Sequence, residues 1–285
     1  MPLRLIAALA AGVTVAPATA EPLPAPVWLA PHQAIYELKL ADRSDEIAGA
    51  EGRIAMALKS DTCGIYNLDY RFVARFQQEQ EITQTDQQTI STENISGTEF
   101  EFSTKTYVDG APEKEVTGQA RQEGDSTKVE MRAPETRSFA LPLSRFPMQH
   151  TRELIEKAKA GETIVEARLF DGDDDSQKLL TSTAIITPNP EPKSPAPTQK
   201  PSNAAEAAKA ALQSAIHTSL EGLRSWRVSE AYFNSDSDPD GLPVFQTSYV
   251  LYENGVSDDL KLDFGAYVFA GSLSKLDLLA RPTCP

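Results

Sequence analysis

Cysteine is almost missing from this chain: Cys63 and Cys284 are the only two in 285 residues. So low a count argues against a disulfide-dense scaffold and against paired Cys-x-x-Cys zinc or redox sites. Histidine is equally sparse, with His32, His150 and His217 alone. There is no His-Glu-x-x-His, no Gly-x-Ser-x-Gly elbow and no glycine-rich phosphate loop, so none of the common hydrolase or nucleotide signatures is present. Basic residues are outnumbered, 27 against 41 acidic, for a formal charge of −14. They are also scattered, which argues against nucleic acid and anionic lipid surfaces as partners. Beyond residue 20 no apolar run is long enough to span a bilayer. No repeat at a solenoid or propeller period is visible.

What is there begins with an export signal. Met-Pro-Leu-Arg opens the chain, residues 5–18 are apolar, and Ala18-Thr19-Ala20 closes the segment before Glu21. A short positive start, a short apolar core and small residues before the cut are the features of a secretory signal peptide. Cleavage is expected after Ala20, leaving residues 21–285. The alternative is an uncleaved anchor, which the run of Pro22, Pro24 and Pro26 disfavours. Export implies an oxidising compartment, where two cysteines favour one bridge, Cys63–Cys284. Free or intermolecular thiols are the alternative.

The body of the chain alternates polar and apolar residues with period two. Strands are expected at 34–40, 52–59, 66–79, 80–91, 97–107, 113–120 and 127–132. Asp109-Gly110 and Gly124-Asp125 mark turns. Strands resume at 163–170 and 178–187, then at 226–233, 244–253, 260–269 and 272–280, with Gly271 taken as the last turn. Polar residues at alternate positions argue for an antiparallel sheet rather than a doubly wound parallel one. A helix is expected over 148–160, started by Pro147 and stopped by Gly161. Between the two groups of strands lies an insertion at about 187–223: a proline-rich run, then an Ala-rich helix over 204–220 that Ser202 or Asn203 caps. The β pattern on both sides of it predicts one domain over 21–285.

Candidate sites are few. Asp236, Asp238 and Asp240, followed by Gly241, imitate the start of a calcium loop. Position 12 would be Thr247, however, and Pro239 stiffens the segment, so a solvated turn is the default. Asp171–Asp175 is a weaker acidic turn. Each histidine reads as a helix-start or surface imidazole. No catalytic residue and no cofactor is expected.

Several strings together carry a family resemblance. They are Ala30-Pro31-His32-Gln33-Ala34-Ile35-Tyr36-Glu37-Leu38, Glu51-Gly52-Arg53, Cys63-Gly64, Phe146-Pro147-Met148-Gln149-His150, Phe170-Asp171-Gly172, Leu251-Tyr252-Glu253-Asn254-Gly255-Val256-Ser257 and the late Cys284. In this order they resemble the EipB-type cell-envelope integrity proteins. The resemblance implies a mainly β protein of the periplasm. Its fold would be a single large antiparallel β-spiral, an open bowl-like barrel with one or two helices, closed by a disulfide between Cys63 and Cys284. It implies a non-enzymatic part in envelope integrity under stress.

Two functions of different kinds follow. One is binding of a protein or envelope component, with the Ala-rich helix as a docking element for a periplasmic partner, for instance a helical-repeat protein. The other is a carrier or sensor of a lipid or other apolar ligand on the concave face of the sheet. The polar stretch Gln80–Ser91 weighs against a continuous apolar tunnel. A hydrolase with an unrecognised site is the third and least favoured reading.

Overall fold

The structure is a computed structural model, and it describes residues 27–42, 47–60, 64–78, 80–172, 179–189, 203–234 and 241–281. The segment expected to be an export signal, Cys63, Cys284, Asp236, Asp238 and Asp240 lie outside the described residues, as do residues 173–178 and 190–202.

Among the described residues, fourteen strands form one antiparallel sheet. They are β1 (His32–Asp42), β2 (Gly49–Lys59), β3 (Ile65–Gln77), β4 (Ile82–Asn94), β5 (Glu99–Val108), β6 (Ala111–Glu123), β7 (Ser126–Ala133) and β8 (Arg137–Pro142), followed by β9 (Ile164–Leu169), β10 (Leu180–Pro188), β11 (Ser225–Asn234), β12 (Phe245–Tyr252), β13 (Ser257–Asp263) and β14 (Val268–Leu278). Two helices, α1 (Pro147–Lys159) and α2 (Ala204–Leu220), complete it. The order across the sheet is β8 to β1, then β14 back to β9. The chain therefore starts in the middle, winds out to one edge, jumps to the other edge and winds back in. Strand β1 pairs with β14, with Tyr36 opposite Leu273. The two free edges approach each other: Arg145 N–H donates to Arg168 O at 2.7 Å and Phe170 N–H to Arg145 O at 2.9 Å. The result is a nearly closed barrel.

Alternation sets the two faces. On β1, Ala34, Tyr36 and Leu38 point inward and are buried, while Gln33 and Lys39 face water. The outer face carries cross-strand ion pairs, among them Arg53–Glu37, Arg71–Asp86 and Arg132–Glu101. Exposed pairs of this kind add little stability. They do show an outer wall built for water, unlike the apolar belt of a membrane barrel. Among the described residues no helix is long and apolar enough to cross a membrane.

Strand β8 escapes the sequence reading because it is short and bounded by Pro134 and Pro142. Proline cannot donate to a ladder, and an edge strand tolerates it. The last turn also moves. It lies at Gly265, which has φ +80°, not at Gly271. Gly271 sits inside β14 opposite Leu38, whose Cδ2 would lie 2.6 Å from a Cβ there.

Helix α1 lies inside the barrel toward one end. Its Leu154, Ile155 and Ala158 join Leu58, Tyr66, Val165, Ile186, Val228 and Leu251 in one core. These residues come from opposite walls, so the helix plugs that end. Helix α2 begins where expected, with Asn203 Oδ1 accepting from Glu206 N–H. Most of it is exposed, but Ile216 and Leu220 enter a second core with Ala34, Tyr36, Phe269 and Leu273. A third core stacks Phe100, Phe102, Phe146 and Phe170 between β5 and the two edge crossings. Gly172 is held there by fit: its φ is +80° and a Cβ would meet the Phe102 ring at 2.5 Å.

Candidate ligand cavity

Between α1 and the far mouth of the barrel lies a cavity of about 840 Å³. That is the size of a small-molecule site. Its walls come from β2, β3, β10, β11, β12 and β13, with Pro147, His150 and Thr151 of α1 as floor. Most of the lining is apolar, including Ile54, Phe72, Leu180, Phe245, Leu262 and Phe264. Strand β4 contributes Gln87, so the polar Gln80–Ser91 segment does interrupt the apolar wall on that side. At the mouth, aromatic rings follow one another: Tyr232 to Phe245 at 5.5 Å, Phe245 to Phe264 at 4.9 Å, Phe264 to Tyr267 at 4.9 Å and Tyr267 to Phe76 at 4.9 Å. Leu242, next to this rim, is 88% exposed.

One polar cluster is built into the wall. Glu230 is only 3% exposed. Its Oε1 accepts from His150 Nε2 and Ser182 Oγ, both at 2.7 Å. Its Oε2 accepts from Tyr249 OH at 2.8 Å and Tyr232 OH at 3.0 Å. Burial alone would raise this carboxyl, but the hydrogen bonds from His150, Ser182 and Tyr249 outweigh it and hold Glu230 below the usual carboxylate range. Burial, and then the Glu230 charge, push Tyr232 and Tyr249 well above the ordinary phenol range, so both remain donors.

A second buried glutamate supports the floor. Helix α1 has Phe146 at its N-cap. A phenyl ring cannot accept the free N–H groups of a first turn. Glu93 of β4 does so instead, taking Met148 N–H at 2.8 Å and Gln149 N–H at 2.6 Å. Gln149 Oε1 in turn accepts from Phe146 N–H at 3.3 Å. Burial pushes the Glu93 carboxyl up to about 7, against the pull of the two backbone donors and Arg152.

Sequence reading missed this site. His150 is not a surface imidazole: it is buried and bonded across the barrel to Glu230. His32 is also buried, with Nδ1 at 2.8 Å from Ala30 O, and burial lowers its affinity for a proton. His217 lies half-buried on α2. The signal that was available is a charged residue on an apolar face. On β11, Trp226, Val228, Glu230, Tyr232 and Asn234 share the inward face, and Glu230 is the only charged residue among them. Among the described residues no group of three or more His, Cys, Asp or Glu is placed to hold a metal.

Fold and cavity together define a nearly closed antiparallel β-barrel, plugged at one end by a helix and hollow at the other. The EipB-like family model matches residues 24–280. The cell envelope integrity protein EipB of Brucella abortus (strain 2308) is 33% identical over 286 residues, which is 96% of this chain and 94% of that one. The crystal structure of a β-barrel-like protein of a domain of unknown function, also from Brucella abortus, superposes with a TM-score of 0.75 at 32% identity, covering 89% of this chain and all of the other. The chain belongs to the EipB-like family.

Proposed function

We propose that this chain is an exported periplasmic protein that supports envelope integrity by holding an apolar envelope component inside its barrel, without catalysing a reaction. The cavity carries this reading: an apolar space with an aromatic mouth and one buried polar cluster has the composition of a ligand site. Membership of the EipB-like family supports the envelope role. The geometry of the cluster supports binding over hydrolysis. In a Ser-His-Asp site the histidine accepts the proton of the serine hydroxyl. Here Ser182 and His150 both donate to Glu230 and not to each other.

The test is binding of Nile red, a neutral apolar dye, to the mature protein. Wild type is expected to bind it with a blue-shifted emission. Leu262→Trp, which fills the cavity from β13, is expected to bind it at least about tenfold more weakly. Equal binding by the two would contradict the reading.

The Cys63–Cys284 bridge belongs to the same proposal. Its described flanks converge. Tyr66 lies 5.4 Å from Trp28, and the Arg281 guanidinium sits 4.5 Å over the same indole. Such a bridge would close most of the mature chain, for which the chain-entropy model gives about 5 kcal/mol. Reductant is therefore expected to lower the melting temperature. An unmoved melting temperature, with the bridge shown by mass to be reduced, would remove the staple from the account.

A further inference from the structure

We infer that Arg145 is the polar anchor of this cavity and takes the carboxylate of a single-chain fatty acid, whose alkyl chain lies along the apolar wall. This rests on the cavity reading above and names the ligand class.

Register places the side chain. Arg145 bridges to Leu169 in parallel, and residues aligned across a ladder point to the same face. Leu169 is buried and lines the cavity, as Arg145 does. The guanidinium is therefore turned inward, where its Nε donates to Glu153 Oε2 of α1 at 2.8 Å. The side chain is nonetheless 36% exposed. For an inward-pointing group, exposure of that size opens onto the cavity. A guanidinium has five N–H groups, and Glu153 takes one. The four on Nη1 and Nη2 have no partner among the described residues, and both nitrogens remain open to water. Their paired N–H groups match the two oxygens of a carboxylate.

Charge narrows the head group. Among the described residues Arg145 is the one lysine or arginine on the lining, while Asp171 and Glu230 share the wall. One guanidinium, already half engaged by Glu153, balances a single negative charge. A phosphate dianion would be left under-compensated beside those two carboxylates. A hydroxyl head would bond the guanidinium, but a hydrogen bond with both partners charged is the stronger one. An ammonium head would meet a like charge at the only open polar group. The chain of the acid then has Phe72, Leu262, Phe245 and Phe264 along its path to the mouth.

The experiment displaces Nile red from the mature protein with decanoate, 1-decanol and decylammonium. In wild type, decanoate is expected to compete at roughly one-tenth the concentration of the other two chains. Arg145→Gln is expected to bring decanoate level with decanol, and Arg145→Lys to keep part of the preference. Because Arg145→Gln leaves Glu153 unpaired and could loosen the edge crossing, a second variant leaves Arg145 in place. Glu153→Gln removes the competing carboxylate and is expected to strengthen decanoate about threefold against decanol. A merely structural Arg145–Glu153 pair would give no such gain. Equal competition by the three chains in wild type, a preference that survives intact in a folded Arg145→Gln, or a Glu153→Gln variant that gains nothing for decanoate would each overturn the anchor and leave the cavity reading standing. Failure of wild type to bind Nile red at all would overturn both.

Discussion

Among the described residues two glutamates lie buried in this barrel, both against helix α1, and they behave in opposite ways. Glu93 is 2% exposed and Glu230 is 3% exposed, so burial cannot account for the difference. The donors do. Glu93 takes two backbone N–H groups at the start of α1. Glu230 takes four side-chain donors, one of them an imidazole. Two donors leave the proton near pH 7; four hold it off. Glu93 stands in for a missing N-cap and serves the fold. Glu230 organises the wall of a cavity and serves the site.

The sharpest way to break this comparison is to neutralise each residue. Glu230→Leu is expected to destabilise the protein by about 3–5 kcal/mol, because it strands His150 and three hydroxyls. Glu93→Gln at pH 7 is expected to change stability by about 1 kcal/mol or less, since the native carboxyl is already partly protonated there and an amide oxygen still caps. Chemical denaturation of both variants measures this, and equal losses would end the distinction.

The pH dependence comes next in size. Glu93 binds its proton more tightly folded than unfolded, between the ordinary 4.5 and about 7. Across that window the folded state holds more protons, so stability falls as pH rises, by up to about 3 kcal/mol. Glu93→Gln is expected to flatten that slope. Glu230 is the reverse case and the smaller effect. Its carboxyl is lowered, so its contribution is present above about 4.5 and is lost as pH falls through the lower folded value. In Glu230→Gln the loss below pH 4.5 is expected to be shallower than in wild type.

Much of the architecture was legible because alternation is a local signal. The strands of the meander, the start of α1 at Pro147 and the Asn203 cap of α2 all follow from neighbours a few residues apart. Strand β8 was hidden by its flanking prolines. The last turn was misplaced because Gly271 looks like a turn residue, whereas it lies inside a strand with the Leu38 side chain packed close against it. The site was hardly legible at all. Glu93 caps a helix 55 residues away in sequence, and His150 meets Glu230 across 80 residues. Such partners are joined only by the winding of the sheet. A lone carboxylate on the apolar face of β11 was the trace they left.

The account turns on the barrel interior being a place where an apolar molecule is held. Native mass spectrometry of the mature protein, taken from its own envelope extract without detergent, tests that most directly. Wild type is expected to carry an added mass that organic solvent releases as an apolar molecule, and Leu262→Trp is expected to carry none. A wild-type protein with no added mass, which also takes up no Nile red when it is supplied, would contradict it.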